Sequence, residues 1–523
     1  MRYLKEFSTR QRPQTEPLSG QSLNNAGGYS WTINDWERLR RFLILGSEGG
    51  IYYVEQRKLT HQNAEATLRC IDADGSRAVD EIVTISKEGR APKNDAAIFA
   101  LALAASHGDD ATRSYALSRL NEVCRIGTHL FNFASYIQQF RGWGRGLRNA
   151  VGEWYNRPDL AYQLVKYRQR NGWTHRDLLR LSHPKPKNEE QRHLLRWATG
   201  KELTIDDNQI INAYCRAQAA TTPEETVTVI RSCPDLPREA LQPEHLTSPA
   251  VWSALVDNGM PMTAVLRNLP TMTRTGLITP TAHYTSLICE QLTDPDRLKK
   301  ARVHPLSVLV ALETYRRGTG YRGNATWTPV PQIIDALDEA FYAAFGNVTA
   351  TSQRMLLALD VSGSMSWGEI AGMPGITPRV ASAAMALLTA SVEKNYHIMG
   401  FSHEFVPLTI SPRQRLDDAV RAVSSLPFSG TDCSLPMEWA LQTRTEIDTF
   451  VVYTDSETWY GDIHPAQALM RYREKMGINA KLVVVGMVGN EFSIADPADP
   501  GMLDLVGFDT AAPNLIAEFT KES

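Results

Sequence analysis

An apolar run, Met355-Leu-Leu-Ala-Leu, ends abruptly in Asp360-Val-Ser362-Gly-Ser364, a carboxylate and two hydroxyls within five residues. Two further segments offer matching oxygens. Phe428-Ser-Gly-Thr431-Asp432 precedes a helical pattern, and a second apolar run, Phe450-Val-Val-Tyr-Thr, ends at Asp455. Asp360, Ser362, Ser364, Thr431 and Asp455 together form a set of hard oxygen donors with two carboxylates. Such a set suits Mg²⁺, or another hard divalent cation, in an octahedral shell completed by water; Zn²⁺ would favour His and Cys. Taken singly, each of these residues reads as a turn or helix cap, but five in order after two buried strands favour one site. A phosphatase of the Asp-x-Asp kind needs a second acid where Ser362 stands. The twelve histidines supply no nucleophile with a base and an orienting partner, and a single cation lacks the clustered acids of two-metal nucleases. The expectation is a binding protein and not an enzyme.

The second cluster is basic and aromatic: Leu160-Ala-Tyr-Gln-Leu-Val-Lys166-Tyr167-Arg168-Gln-Arg170-Asn171-Gly172-Trp173-Thr-His175-Arg176-Asp-Leu-Leu-Arg180-Leu-Ser-His183. On a helix Lys166 and Arg170 share a face, as Arg176 and Arg180 do on the next helix. The two faces meet at Asn171-Gly172 in a patch suited to phosphates, and Tyr167, Trp173, His175 and His183 offer planes or donors to exposed bases. A solvated basic face with Trp173 anchored in the core is the alternative.

Both clusters need scaffolds. From about residue 30 to 345 short amphipathic helices follow one another, at 93–107, 111–126, 128–140, 160–171, 177–181, 191–198, 206–219 and 250–258, with no strand alternation of any length. That pattern fits a HEAT-like or armadillo-like array in which each helix pair buries its apolar face against its neighbours. From 350 onward strands (354–360, 396–401, 449–454, 479–486) alternate with helices (379–394, 412–424, 434–446, 464–476), which demands a parallel sheet with helices on both faces. The expected division is 1–349 and 350–523. Charge divides the same way: residues 350–523 hold 12 Lys and Arg against 21 Asp and Glu, a balance of −9 within a total of −3, leaving +6 on the first part. Residues 141–187 alone carry 11 basic residues and three acids, so polyanion binding belongs to the first part. Six scattered cysteines without a Cys-x-x-Cys pair suggest neither a disulfide framework nor a zinc site. The start, Met1-Arg-Tyr-Leu-Lys-Glu-Phe7, lacks the apolar stretch of a signal peptide, and the longest apolar run, Ala96 to Ala105, is half a membrane span. A soluble, cytoplasmic protein is expected.

The order Asp-x-Ser-x-Ser, Thr, Asp matches the metal-ion-dependent adhesion site, and the last third of the chain resembles a von Willebrand factor A domain. The basic segment, with Asn24-Asn-Ala-Gly-Gly-Tyr29-Ser-Trp31, Gly49-Gly50-Ile-Tyr-Tyr, Pro261-Met-Thr-Ala-Val-Leu-Arg267-Asn268-Leu and His304-Pro305-Leu-Ser-Val-Leu-Val-Ala-Leu-Glu313-Thr-Tyr315-Arg-Arg-Gly-Thr-Gly-Tyr-Arg-Gly, closely resembles the TROVE module of the Ro sixty-kilodalton autoantigen family. The pairing of the two modules extends the resemblance over nearly the whole chain. It implies a ring of HEAT-like repeats followed by a doubly wound A domain. It also implies Y RNA on an outer basic face and, in a central hole, single-stranded 3′ ends of structured or misfolded noncoding RNAs, for RNA maturation, quality control and stress survival. Lys166, Arg170 and His183 sit at places matching the family's Y RNA contacts; Arg168, His175, Arg176 and Arg180 are added from charge and proximity. A recruited 3′-to-5′ exoribonuclease is the implied trimming partner, and an acidic protein group is the implied ligand of the metal. A protein-interaction scaffold, built on the helical array and the metal site, is the competing reading.

Overall fold

A computed structural model describes residues 11–47, 51–202, 208–321, 324–346, 348, 350–370, 373–411, 414–424 and 429–521. Outside these lie Met1 to Phe7, Gly49, Gly50, the expected helix starts at 206 and 412, Phe428, and the Arg322-Gly323 end of the TROVE-like segment.

The apolar runs become strands because they are buried on both faces. A six-stranded sheet has the order β11-β9-β8-β5-β6-β7, with β5 Arg354–Asp360, β6 Asn395–Phe401, β7 Phe405–Pro407, β8 Thr449–Thr454, β9 Lys481–Gly486 and β11 Met502–Val506. It is parallel except for the antiparallel edge strand β7. Alternate residues serve opposite cores. Leu357, Leu359, Val451, Tyr453, Val483 and Val485 face one, beneath helix Pro378–Val392; Leu356, Ala358, Phe450, Val452, Leu482 and Val484 face the other, beneath helices Leu435–Gln442 and Pro465–Met476. Successive connections leave β5 in opposite directions, toward β6 on one side and β8 on the other. The carboxyl ends of β5 and β8 therefore flank the crevice where open parallel sheets bind ligands.

Ahead of this unit comes the expected run of helices, with altered ends. The 93–107 segment forms Asp95–His107, 128–140 forms Gly127–Phe140 and 250–258 forms Pro249–Asp257, whereas 111–126 breaks into Asp110–Ser118 and Leu120–Val123. The array turns back on its beginning. His304 accepts the Leu306 N–H at Nδ1 (3.1 Å), which leaves Nε2 protonated to donate to the carbonyls of Arg90 (3.0 Å) and Phe508 (2.9 Å). One buried ring thus ties a late helix to an early one and to the sheet domain.

Strands do occur in the first part, contrary to the sequence reading. β1 (Gln21–Leu23) and β2 (Tyr29–Thr32) pair with each other and, across the whole chain, with β10 (Phe492–Ser493): Trp31 lies opposite Ser493 and Thr32 opposite Phe492. Trp31 is buried in the second sheet core. Arg41, on helix Asp35–Leu45, clamps the carboxylate of Asp504 on β11 (2.6 and 2.7 Å) while donating to the carbonyls of Asn490 and Phe492. The start of the chain is thereby built into the flank of the sheet domain.

Candidate metal centre and nucleic-acid interface

Strand β5 delivers Asp360 to the crevice and the tight loop after it folds back. The Ser362 N–H donates to Asp360 Oδ1 (2.9 Å), the Ser362 and Ser364 hydroxyls lie 3.1 Å apart, and Thr454 Oγ1 at the end of β8 donates to Asp360 Oδ2 (2.7 Å). Asp455 follows directly, bonded by the Ser364 hydroxyl and by the Glu457 N–H (3.0 Å). The carbonyl of Thr431 accepts from the N–H groups of Trp459 and Tyr460 (both 3.1 Å), which joins its loop to the segment after Asp455. All five expected donors are buried. The neighbouring Asp432 serves structure: one carboxylate oxygen takes bonds from Gln14 and from the Ser434 N–H and hydroxyl.

Sequence reasoning missed a third acid. Glu457 is buried two residues beyond Asp455, held by the Asn25 N–H and side-chain amide (2.8 and 2.7 Å) and by the Asn490 amide (3.0 Å). Its place after Asp455 was visible; its clamp, 432 residues away in the chain, was not. Burial and then the Asp455 charge push Asp360 up to about 7, and the same two causes, in the same order, hold Glu457 at about 7; burial also raises Asp455. Burial and these three carboxylates raise the Tyr53 hydroxyl, which meets Ser364. Clustered acids stripped of water are costly unless a cation or protons compensate. An oxygen-only donor set carrying surplus negative charge fits a hard divalent ion. Among the described residues no trio of His, Cys, Asp and Glu side chains gathers at metal-holding spacing, so such an ion would lean on the serine and threonine hydroxyls and on water.

The mouth of the crevice is aromatic. Tyr52, Trp367, Trp459 and Tyr460 are among the few large apolar side chains left exposed. Tyr52 stands edge-on to Trp367 (6.4 Å) and to Tyr53 (4.8 Å), and Trp459 edge-on to Tyr460 (5.7 Å).

The basic segment is built differently from its expectation. Helix Leu160–Lys166 stops at Lys166, and Arg170 lies on a two-residue strand (β3, Gln169–Arg170) that pairs with β4 (Trp173–Thr174). Asn171 and Gly172 take φ of 50° and 78°, the left-handed pair that closes a tight hairpin. Lys166 and Arg170 therefore share no helical face; the hairpin presents Arg170. Thr174 caps the next helix, His175–Ser182, through a reciprocal bond with Asp177, and Arg176 and Arg180 lie exposed on that helix as expected. Arg168, Arg170 and His183 are also exposed, and Lys166 lies against Tyr162 and Tyr167 (5.0 and 5.4 Å). His175 is the exception. It is buried against Trp154 and Phe131, shares a hydrogen bond with the Tyr155 hydroxyl (3.0 Å), and its burial pulls it down to about 4. It is an uncharged core residue with no plane to offer an exposed base. Among the described residues Lys166, Arg168, Arg170, Arg176 and Arg180 have no carboxylate partner, whereas the nearby Arg157, Lys187, Arg192 and Arg196 are all paired.

Comparison with known proteins agrees with both halves. Residues 22–224 and 235–317 match the model of the TROVE domain, and residues 354–520 match that of the Ro60 vWA domain. The chain is 42% identical to the RNA-binding protein RO60 of Deinococcus radiodurans over 528 residues, spanning 99% of each. It is 35% identical to the RNA-binding protein RO60 of Caenorhabditis elegans over 591 residues, covering 97% of this chain and 91% of that one. The crystal structure of the Deinococcus radiodurans RO (RSR) protein superposes with a TM-score of 0.71 at 41% identity, covering 93% of this chain and 99% of that one.

Proposed function

The chain belongs to the Ro60 family of RNA-binding proteins, and on that footing we propose that it is a cytoplasmic, non-enzymatic ribonucleoprotein component. It holds a small Y RNA on the outer basic face, takes single-stranded 3′ ends of structured or misfolded noncoding RNAs into the opening of the helical ring, and hands them to a 3′-to-5′ exoribonuclease in quality control under stress. The observation that carries this reading is the set of cations around the hairpin, Lys166, Arg168, Arg170, Arg176 and Arg180, that have no carboxylate partner among the described residues. Cations without a carboxylate partner attract polyanions, which release counterions on binding. Six thiols outside any disulfide fit the reducing compartment, and among the described residues no helix is long and apolar enough to cross a membrane.

Gel-shift titration tests the reading. Lys166→Ala/Arg170→Ala should weaken a Y-like RNA and flatten its log–log salt dependence by roughly 0.9 per lost duplex phosphate contact, with helicity unchanged. Matched RNAs with and without a 3′ tail should differ in their competition for the ring. Undiminished Y-like RNA binding by the double variant removes the outer-face assignment, and equal affinity for tailed and tailless RNAs removes the threading.

The aromatic mouth of the metal crevice favours a second activity on the same chain. Trp and Tyr around a desolvated polar centre are the composition of protein-docking hot spots, and the sheet domain's negative balance disfavours RNA there. In this reading Asp360, Ser362, Ser364, Thr431 and Asp455 hold Mg²⁺, which offers one coordination position to a carboxylate of a protein partner.

A further inference from the structure

A cavity of about 530 Å³ opens beside the basic hairpin, walled by Arg168, Gln169, Arg176, Trp197 and Glu202, within the span of about 300–1,000 Å³ usual for small-molecule pockets. Its composition is particular. Trp197, on helix Glu189–Ala198, is half-buried and fixed edge-on against Tyr214 (5.7 Å, 85°). The Tyr214 hydroxyl in turn accepts a hydrogen bond from Arg168, whose guanidinium lies 5.3 Å from the centre of the Tyr214 ring. A flexible surface arginine is thereby set at the rim beside a rigid aromatic plane. Arg176 stands exposed at the same cavity with no carboxylate partner among the described residues, and Gln169 is exposed on the hairpin strand. Among the described lining residues the acid is Glu202, and it is occupied: one carboxylate oxygen bonds Arg196 and the other bonds His193.

We propose that this cavity captures a single unpaired nucleobase of the bound RNA, stacked on Trp197, with the flanking phosphates on Arg168 and Arg176. The inference rests on the RNA-binding reading and adds a subsite to it. A planar wall, an amide able to address a base edge and two guanidinium groups without a carboxylate partner among the described residues are what a nucleotide uses, since bases stack on aromatic rings and phosphates seek arginine. The arrangement also sorts the two halves of the ligand. The guanidinium groups of Arg168 and Arg176 hold phosphate at the cavity's edge and leave the aromatic wall to the base. A folded RNA docked on Arg170 and Arg180 would therefore be read at one position where a base leaves the stack.

Abasic scanning tests this on the full-length protein. A Y-like stem–loop RNA carries one abasic residue at a time through its unpaired positions, and each is titrated by gel shift against the parent, Trp197→Leu and Gln169→Ala. Stacking contributes about 1–3 kcal/mol per base, so one abasic position should weaken binding to the parent roughly 5- to 150-fold. The same abasic change should have little effect on Trp197→Leu, because the base has already lost its wall. Trp197→Phe, which keeps a plane, should restore most of the difference, and Gln169→Ala, a surface change that spares folding, should reduce discrimination at that position alone. If no unpaired position depends on Trp197 or Gln169 while Lys166→Ala/Arg170→Ala still weakens the RNA, the subsite is wrong and the outer-face reading stands. If the parent binds none of these RNAs, both fail together.

Discussion

Replacing Asp360 by Asn should reverse sign with the metal. The carboxyl sits fully buried beside Asp455 and is held at about 7 against an ordinary value near 3.8, first by burial and then by its neighbour's charge. A carboxyl raised in the folded state costs stability when ionised. That cost is absent below the unfolded value near pH 4, grows as pH climbs toward 7, and is fully expressed above it. At pH 8 without divalent ions the charged Asp360 should thus cost on the order of a few kcal/mol at 1.36 kcal/mol per pH unit. Asn removes the charge and keeps the shape, so the variant should melt above the parent at pH 8 and level with it near pH 4. With Mg²⁺ at 100 times its dissociation constant the parent gains about 2.7 kcal/mol by mass action and the variant nothing. For a unit the size of residues 354–520 that is roughly 5–10 °C of melting temperature. Differential scanning fluorimetry across pH 4–8, with EDTA or with MgCl₂, reads both effects. A parent that gains nothing from Mg²⁺, or a variant that gains as much as the parent, refutes the assignment of Asp360 as a ligand; a variant less stable than the parent at pH 8 in EDTA refutes the account of uncompensated buried charge.

Arg41→Met should cost about 3–5 kcal/mol in urea unfolding because it strands Asp504 beside a nearly dry flank. Arg41→Met/Asp504→Leu should recover much of that loss, and purely additive losses would show that the clamp is not the cause. His175, pulled down to about 4 by burial from an ordinary 6.5, contributes stability that is intact above pH 6.5 and lost as pH falls toward 4, about 2 kcal/mol by pH 5. His175→Gln should remove that part of the acid sensitivity and leave RNA affinity unchanged; a drop in affinity without a drop in stability would return His175 to the interface.

The parts of this fold legible in its sequence are those fixed by local apolar pattern. β5 and β8 match their expected bounds because the residues of each run are buried on both faces, and the abrupt change to Asp360 and Asp455 marks where burial meets the crevice. The basic turn was legible as a turn and misread as a junction between helices. Asn171-Gly172 is a hairpin signal in itself, but two-residue strands leave no periodicity around it, so Arg170 was placed on a helical face it does not occupy. His175 carried the same polar signature as Arg176; only its packing between Trp154 and Phe131 separates core from surface. The small sheet β1-β2-β10 and the Asn25 clamp on Glu457 were out of reach because no local pattern encodes a pairing between the two ends of a chain.

That end-to-end stitching imposes an order on biogenesis. Asn25 meets Glu457 and Arg41 meets Asp504, 432 and 463 residues apart, so at 5–20 residues per second the first strands wait roughly 20–90 s on the ribosome before their partners exist. During that interval β2 has one edge without β10, and Trp31 lacks the apolar neighbours that later bury it. A stalled or truncated product therefore displays an open strand edge and a bare tryptophan, features that invite aggregation or chaperone capture. The acidic crevice, clasped by Asn25 and lined by Glu457 and Asn490, is completed only when synthesis has passed all three.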